Sequence, residues 1–353
     1  VRAKKALGQH FLVDLNIARK ICDALSGGVR PEAGAETRAV AAGSADADAE
    51  TRTRVAGYAG AGAEARTMAA GSADAGAEAR TKATGTADAD AETRRGVAAS
   101  ADARLAADTT AAGAPAAAEE ERSGAVPCDV LEVGCGMGVL TQFLLRRGDI
   151  TTYGAEIDPE SVEYLHAHFP EFAPRLIEGD FLKMNLRERF PRGLKIIGNF
   201  PYNISSQIFF KVLEHRDLVP ECVGMIQKEV AVRIAEPPGS KEYGILSVLL
   251  QAWYDIEYLF TVNETVFNPP PKVKSAVIRL RRNSVGRLGC DEALFVKVVK
   301  ASFGQRRKMI RNSLRAVFGD FGGAEHPFFT QRAEQLSVAD FVQLTDWVAA
   351  NRK

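Results

Sequence analysis

Cysteine is scarce in this chain and follows no pattern. Five residues among 353 (Cys22, Cys128, Cys135, Cys222 and Cys290) lie far apart, are odd in number and form no CxxC pair. That argues against a disulfide framework or a zinc site and for a reducing compartment. Long apolar runs are also missing. No stretch is long enough to span a bilayer and no secretory signal is recognisable, so a soluble, cytoplasmic protein is expected. No cluster of His, Cys or carboxylate residues suggests a metal, and none is expected. Net charge is absent too, with 45 Lys and Arg against 45 Asp and Glu. The balance hides a split: residues 29–123 hold 16 acidic and 11 basic residues, whereas 279–353 hold 14 basic and 7 acidic ones. The cations gathered near the C-terminus are a modest electrostatic footprint for a polyanionic partner.

Residues 29–123 are poor in large apolar side chains, with only isolated Val, Leu, Met or Tyr residues in the repeat units. Within them, residues 29–112 repeat with a period of 14, most clearly from Gly43 to Ala56, Gly57 to Ala70, Gly71 to Thr84 and Gly85 to Ala98. A fixed period can signal a solenoid, but these units of Gly, Ala, Thr and charged residues supply too little to share a core. The segment is expected to be a mostly disordered insertion, with a partner-binding arm as the alternative. The remainder reads continuously as one protein.

After the insertion comes a strand, Asp129 to Val133, followed by Gly134-Cys135-Gly136-Met137-Gly138 and a helical run from Val139 to Arg147. Strand, glycine turn and helix form the start of a Rossmann-like unit, in which Gly134 and Gly136 let the backbone approach a ligand closely. A second strand, Thr151 to Ile157, ends in Glu156 and Asp158, where an acid can accept hydrogen bonds from ribose hydroxyls. A dinucleotide prefers G-x-G-x-x-G, with its pyrophosphate at the helix N-terminus. The G-x-G-x-G found here suits S-adenosylmethionine better, since that molecule has no phosphates to cradle. A third strand, Arg175 to Glu178, leads to Asp180, placed to meet an adenine amino group, and Phe181, placed against its ring.

The apolar strand Leu194 to Gly198 then ends in Asn199-Phe200-Pro201-Tyr202. In open α/β sheets, the carboxyl ends of strands are where ligands bind. The tetrapeptide fits methylation of an exocyclic amine on a nucleobase. An Asn side-chain oxygen and a backbone carbonyl beside Pro201 can accept the amine's two N–H groups, making the nitrogen more nucleophilic, while Tyr202 stacks on the ring. Taken alone, the same string also reads as a strand exit with Pro as terminator and Tyr as packing.

With these elements assembled, the chain resembles the KsgA family of small-subunit ribosomal RNA adenine dimethyltransferases. The resemblance runs through Leu7-Gly8-Gln9-His10-Phe11-Leu12, Glu132 to Gly138, Asn199 to Ser206, Gln227 to Ala231, Pro238 to Gly244, Val266 to Ser275 and Gln305 to Lys308. It implies that His10, Leu12, Gly134, Gly136, Glu156, Asp180, Phe181 and Asn199 contact S-adenosylmethionine. It further implies that Asn199 and Pro201 hold the target amine, with Tyr202 and Phe267 on opposite faces of a flipped base. The implied reaction is direct in-line methyl transfer to two adjacent adenosines in the 3′-terminal hairpin loop of the RNA, giving N6,N6-dimethyladenosine, with a role in small-subunit biogenesis. Two departures stand out: His10 where many members have Asn, and Cys135 where a proline is usual.

The fold implied is a seven-stranded, Rossmann-like α/β methyltransferase domain with a small C-terminal helical domain. Residues 1–28 and 124–283 would form the first, 29–123 the insertion, and 284–353 the helical part. Ser337 to Asp340 resembles a capped helix start. Arg306, Arg307, Lys308 and Arg311 are expected to grip RNA phosphates, positioning the RNA rather than reading bases. The expected partner is the small ribosomal subunit, met by a monomer. Two rivals remain: a large-subunit RNA methyltransferase of the macrolide-resistance type, and a ribosome-assembly factor acting mainly by binding. An NAD-dependent oxidoreductase is more distant.

Overall fold

Runs of β-branched and aliphatic residues between glycine-rich turns build the centre of the molecule. The computed structural model describes Lys4 and residues 7–27 and 127–352. The expectation of a disordered insertion at 29–123 lies outside the described residues. In chain order the elements are β1 (Phe11–Leu12), α1 (Leu15–Ala24), β2 (Cys128–Val133), α2 (Thr141–Leu144), β3 (Ile150–Glu156), α3 (Pro159–His168), β4 (Leu176–Glu178), α4 (Leu186–Arg189) and β5 (Lys195–Asn199). They continue with α5 (Ser205–Glu214), β6 (Glu221–Gln227), α6 (Lys228–Ala235), α7 (Ile245–Gln251), β7 (Tyr254–Val262), β8 (Phe267–Asn268), β9 (Ser275–Arg282), α8 (Glu292–Gly304), α9 (Ile310–Phe318) and α10 (Val338–Asn351).

Seven strands form one sheet in the order β4-β3-β2-β5-β6-β9-β7. All neighbours are parallel except at β9, which runs against both β6 and β7. β2 is buried along its whole length and β6 everywhere except its last residue, Gln227, as expected for strands covered on both faces. β1 and β8 pair apart from the main sheet, joining Phe11 to Asn268 and Leu12 to Phe267.

The helix expected from Val139 to Arg147 is shorter, covering only Thr141–Leu144. Its start is delayed because the glycine turn continues through Gly138, which has a positive φ. Beyond it, the Arg147 guanidinium turns to the carbonyls of Cys22, Leu25 and Ser26. α10 is capped as its sequence suggests, with Ser337 and Asp340 exchanging hydrogen bonds. α8, α9 and α10 share one apolar core with the sheet, through Phe295, Leu314, Phe341 and Val348 on one side and Trp253 and Leu280 on the other.

Candidate active site

The carboxyl ends of β2, β3, β4 and β5 open into a cleft closed on one side by residues 7–11. Its floor begins at the glycine turn, where Gly134 and Gly136 both have positive φ and a side chain on Gly136 would press against the Phe11 ring at 3.2 Å. Glu156, 4% exposed, accepts from the backbone N–H of Gly136 at 2.8 Å through one oxygen. Its other oxygen accepts from Ile157 and Asp158 at 2.9 Å. Burial pushes its carboxyl up despite those three donors. A carboxylate offers about four acceptor directions, so capacity remains for a ligand hydroxyl.

Asp158, the second acid at that strand end, serves a different purpose. It is buried and binds Lys4, Gln9 and Ser161. Burial alone would raise its carboxyl, but those three partners outweigh it and hold it below the usual range. This anchor positions the segment that closes the cleft. Across the cleft, Asp180 caps the turn of Phe181 to Lys183 by accepting from Leu182 N–H at 2.9 Å. Phe181 packs beneath it, with the Lys211 ammonium 5.5 Å from its ring.

The Asn199-Phe200-Pro201-Tyr202 strand end is held from below by Phe200. A side chain at Gly198 or Gly224 would collide with that ring, at 2.8 and 2.5 Å respectively, so two strand glycines make its seat. Phe200 N–H also bonds to Met225 C=O at 3.0 Å, continuing the sheet one residue past β5. Asn199 Nδ2 donates to the His10 carbonyl at 3.0 Å. A carbonyl can only accept, so the amide orientation is defined and Oδ1 keeps its acceptor capacity. The Pro201 carbonyl accepts from Ile204 N–H at 3.1 Å and retains a second lone pair. The Tyr202 hydroxyl meets Ser275 Oγ at 2.5 Å, and burial pushes its phenol up against the opposing pull of that hydrogen bond.

Nine of the expected site residues therefore meet in one cleft: His10, Gly134, Gly136, Glu156, Asp180, Phe181, Asn199, Pro201 and Tyr202. Leu12 and Phe267 do not. They pair with each other across β1 and β8, are 2% and 3% exposed, and pack in the core under α1. The alternation of a strand sends their side chains inward and sends Phe11, which the sequence reading passed over, toward the glycine turn. Phe267 is thus not the second wall of the cleft in this structure. What the sequence offered for Phe11 was its place beside His10 and Leu12 in the Leu7 to Leu12 motif; the strand that sets its direction comes from the structure.

Of the basic residues expected to bind RNA, Arg307 and Lys308 are exposed on the turn between α8 and α9. Arg306 donates to the Lys241 carbonyl, and Arg311 pairs with Glu325 and lies 5.8 Å from the Phe329 ring. Among the described residues no group of three His, Cys, Asp or Glu side chains is arranged to hold a metal ion. Nor is any helix among them long and apolar enough to cross a membrane.

A sheet of this order, with one reversed strand, a glycine turn after β2 and acids at the ends of β3 and β4, defines the Rossmann-like methyltransferase class. The profile of the family described as ribosomal RNA adenine dimethylase matches residues 127–350, and the chain belongs to that family. The ribosomal RNA small subunit methyltransferase A of Parabacteroides distasonis is 61% identical over 218 residues, covering 61% of this chain and 81% of that protein. The protein of the same name from Porphyromonas gingivalis is 59% identical over 220 residues, covering 61% and 84%. Among solved structures, a dimethyladenosine transferase from Plasmodium falciparum superposes with a TM-score of 0.54 at 26% identity, covering 63% of this chain and 90% of that one.

Proposed function

We propose that this chain methylates N6 of two adjacent adenosines in the 3′-terminal hairpin loop of small-subunit ribosomal RNA, giving N6,N6-dimethyladenosine. The observation that carries the reading is the orientation of Asn199. With Nδ2 committed to the His10 carbonyl, Oδ1 is the group offered to an amine N–H. The Pro201 carbonyl is the second acceptor, and the two together draw the amine nitrogen's lone pair out of conjugation with the ring. Both hydrogen bonds strengthen as positive charge develops on nitrogen, so they favour the transition state over the bound base.

S-adenosylmethionine, when bound, supplies the electrophilic methyl group. The residues present fit it: Glu156 retains acceptor capacity for ribose hydroxyls, Phe181 offers an apolar surface for adenine, and the glycine turn permits close approach. Tyr202, fixed through Ser275, stacks on the target base. The exposed Arg307 and Lys308 hold RNA phosphates. No general base is required, because the surplus proton on the product amine is acidic enough to leave to water.

The test is methyl transfer from tritiated S-adenosylmethionine to undermethylated small subunits, followed by primer extension. Stops at two adjacent adenosines near the 3′ end of small-subunit RNA are expected. Stops confined to large-subunit RNA would assign the chain to the other substrate. An Asn199→Ala variant that lost transfer yet restored subunit assembly in a deletion strain would assign it a binding role.

A further inference from the structure

The buried face of α5 carries one cation. Ile208, Phe209 and Val212 are buried as apolar residues at that spacing should be, and Lys211 is buried among them, 8% exposed. An ammonium taken out of water needs partners to offset its lost hydration. Lys211 finds them outside its own helix. Its Nζ donates to the Leu182 carbonyl at 2.9 Å and the Met184 carbonyl at 2.6 Å, and lies 5.5 Å from the Phe181 ring. Burial pulls the ammonium pKa down, against the raising influence of Glu214 and Asp180.

Those carbonyls belong to the turn of Phe181 to Lys183 and the residue that ends it. The turn is therefore held at both ends, by the Asp180 carboxylate at its start and by Lys211 at its close. Asp180 commits Oδ1 to the Leu182 N–H at 2.9 Å, so Oδ2 is the oxygen offered to a ligand amino group. The Lys183 ammonium lies 3.9 Å from Oδ2 on a side chain that is 87% exposed, a loose partner that a ligand can displace. The other end of α5 is fixed to the acceptor side of the cleft. Ser205 Oγ donates to the Tyr202 carbonyl at 3.2 Å, and Phe209 meets the Phe200 ring edge-on at 5.8 Å. One helix thus ties the two halves of the cleft together.

We propose that Lys211 is a positioning residue for the cofactor's adenine, holding the turn from α5 so that Asp180 Oδ2 meets the exocyclic amino group. The inference rests on the site reading above, in which Asp180 meets the adenine amino group of S-adenosylmethionine. Without the ammonium, the turn keeps its local hydrogen bonds but loses its tie to α5. A slack turn costs the Asp180 contact most, because a hydrogen bond weakens steeply with misalignment. Apolar packing of Phe181 against the ring is non-directional and tolerates the same shift. Loss of Lys211 therefore removes recognition of the amino group rather than affinity at large.

The experiment compares S-adenosylhomocysteine with S-inosylhomocysteine, in which a carbonyl oxygen replaces the amino group, by calorimetry on each protein. The unaltered chain should favour the adenosyl compound roughly ten- to hundredfold, the range of one hydrogen bond to a charged group. Lys211→Met, of similar shape but without charge or donors, should cut that preference about tenfold. It should also raise KM for S-adenosylmethionine while KM for the small subunit holds. Lys211→Arg, which keeps charge and donors, should recover much of the preference. Both ligands are compared on the same folded variant, so a general loss of stability leaves their ratio alone. Should Lys211→Met not fold, Lys211→Gln, too short to reach both carbonyls, carries the same test. Equal weakening of both ligands, or an undiminished preference, would overturn the proposal and leave the reading of Asp180 standing. An unaltered chain with no preference, or an Asp180→Ala variant that keeps it, would sink that reading and this proposal with it.

Discussion

Glu132 illustrates how one residue can carry a pH signature unrelated to the reaction. It is 1% exposed at the middle of the sheet, and burial pushes its carboxyl up to about 8, against the pull of a 2.6 Å hydrogen bond from Thr141. Between the ordinary carboxylate range and about 8 the folded chain holds a proton that the unfolded chain has lost. Stability therefore falls as pH rises through that window. Glu132→Gln, which mimics the protonated form, should match the parent's Tm at pH 5 and exceed it at pH 9, by thermal unfolding in matched buffers. Ser275 makes a second prediction at this scale. Ser275→Ala frees the Tyr202 hydroxyl, and a misplaced ring should lower kcat roughly tenfold with cofactor affinity kept, measured by single-turnover transfer and calorimetry. Several of these residues were legible in the sequence because chemistry singles them out: an acid after a glycine turn, an Asn-x-Pro-Tyr at a strand end. The contact between the Tyr202 and His10 rings was not, since it depends on β1 meeting β8 across more than 250 positions of chain.

α1 is held at its carboxyl end by cations from three other elements. Arg147 takes the carbonyls of Cys22, Leu25 and Ser26, Arg279 takes Ala24, and Lys195 takes Ser26 and Gly27. Cys22 and Ala24 lie in the last turn, where a helix end leaves carbonyls short of partners, and Leu25, Ser26 and Gly27 follow directly after it. Lys195 also forms a buried pair with Glu221 at 3.0 Å, their side chains 9% and 3% exposed. Removing one member of such a pair strands the other charge. Lys195→Met should cost about 3 kcal/mol in urea unfolding, and adding Glu221→Gln should restore much of it. At this scale the sequence spoke clearly where a strand was mostly apolar, as at Leu194 to Gly198, which the structure gives as β5 from Lys195 to Asn199. It misjudged α2, because a run of helix-forming residues does not reveal that the glycine turn continues through Gly138 before the helix can start.

Across the whole molecule the charge is uneven, and the cations matter most where nothing else claims them. Arg307 and Lys308 are exposed on their turn, whereas Arg306 and Arg311 are engaged. Replacing Arg307 and Lys308 with Ala should weaken binding to the small subunit and make the slope of log K against log salt shallower by roughly 1–2, in filter binding across a salt series. The described chain stops at Gly27 and resumes at Pro127, both at the amino end of the sheet, opposite the cleft. A methyl group on Gly27 would lie 3.2 Å from Asp149, and Cys128 pairs with Ile150 directly beyond it, so the two ends are neighbours. Joining them with a short Gly-Ser linker in place of residues 28–126 should leave Tm and methyl transfer close to those of the full chain. The fold was legible at this level because the repeats differ so sharply in composition from the rest.

The first 27 residues bring β1, α1 and one wall of the cleft, yet they belong to the main body only through contacts, not through neighbouring sequence. Apolar packing under α1, the β1–β8 ladder, the Lys4–Asp158 pair and the three cations all cross that gap. In this sense residues 7–27 and 127–352 are two pieces of chain held together by their own contacts. A protease cut within 28–126 would leave both pieces clasped together and the active cleft whole, and the two pieces made separately are candidates for fragment complementation.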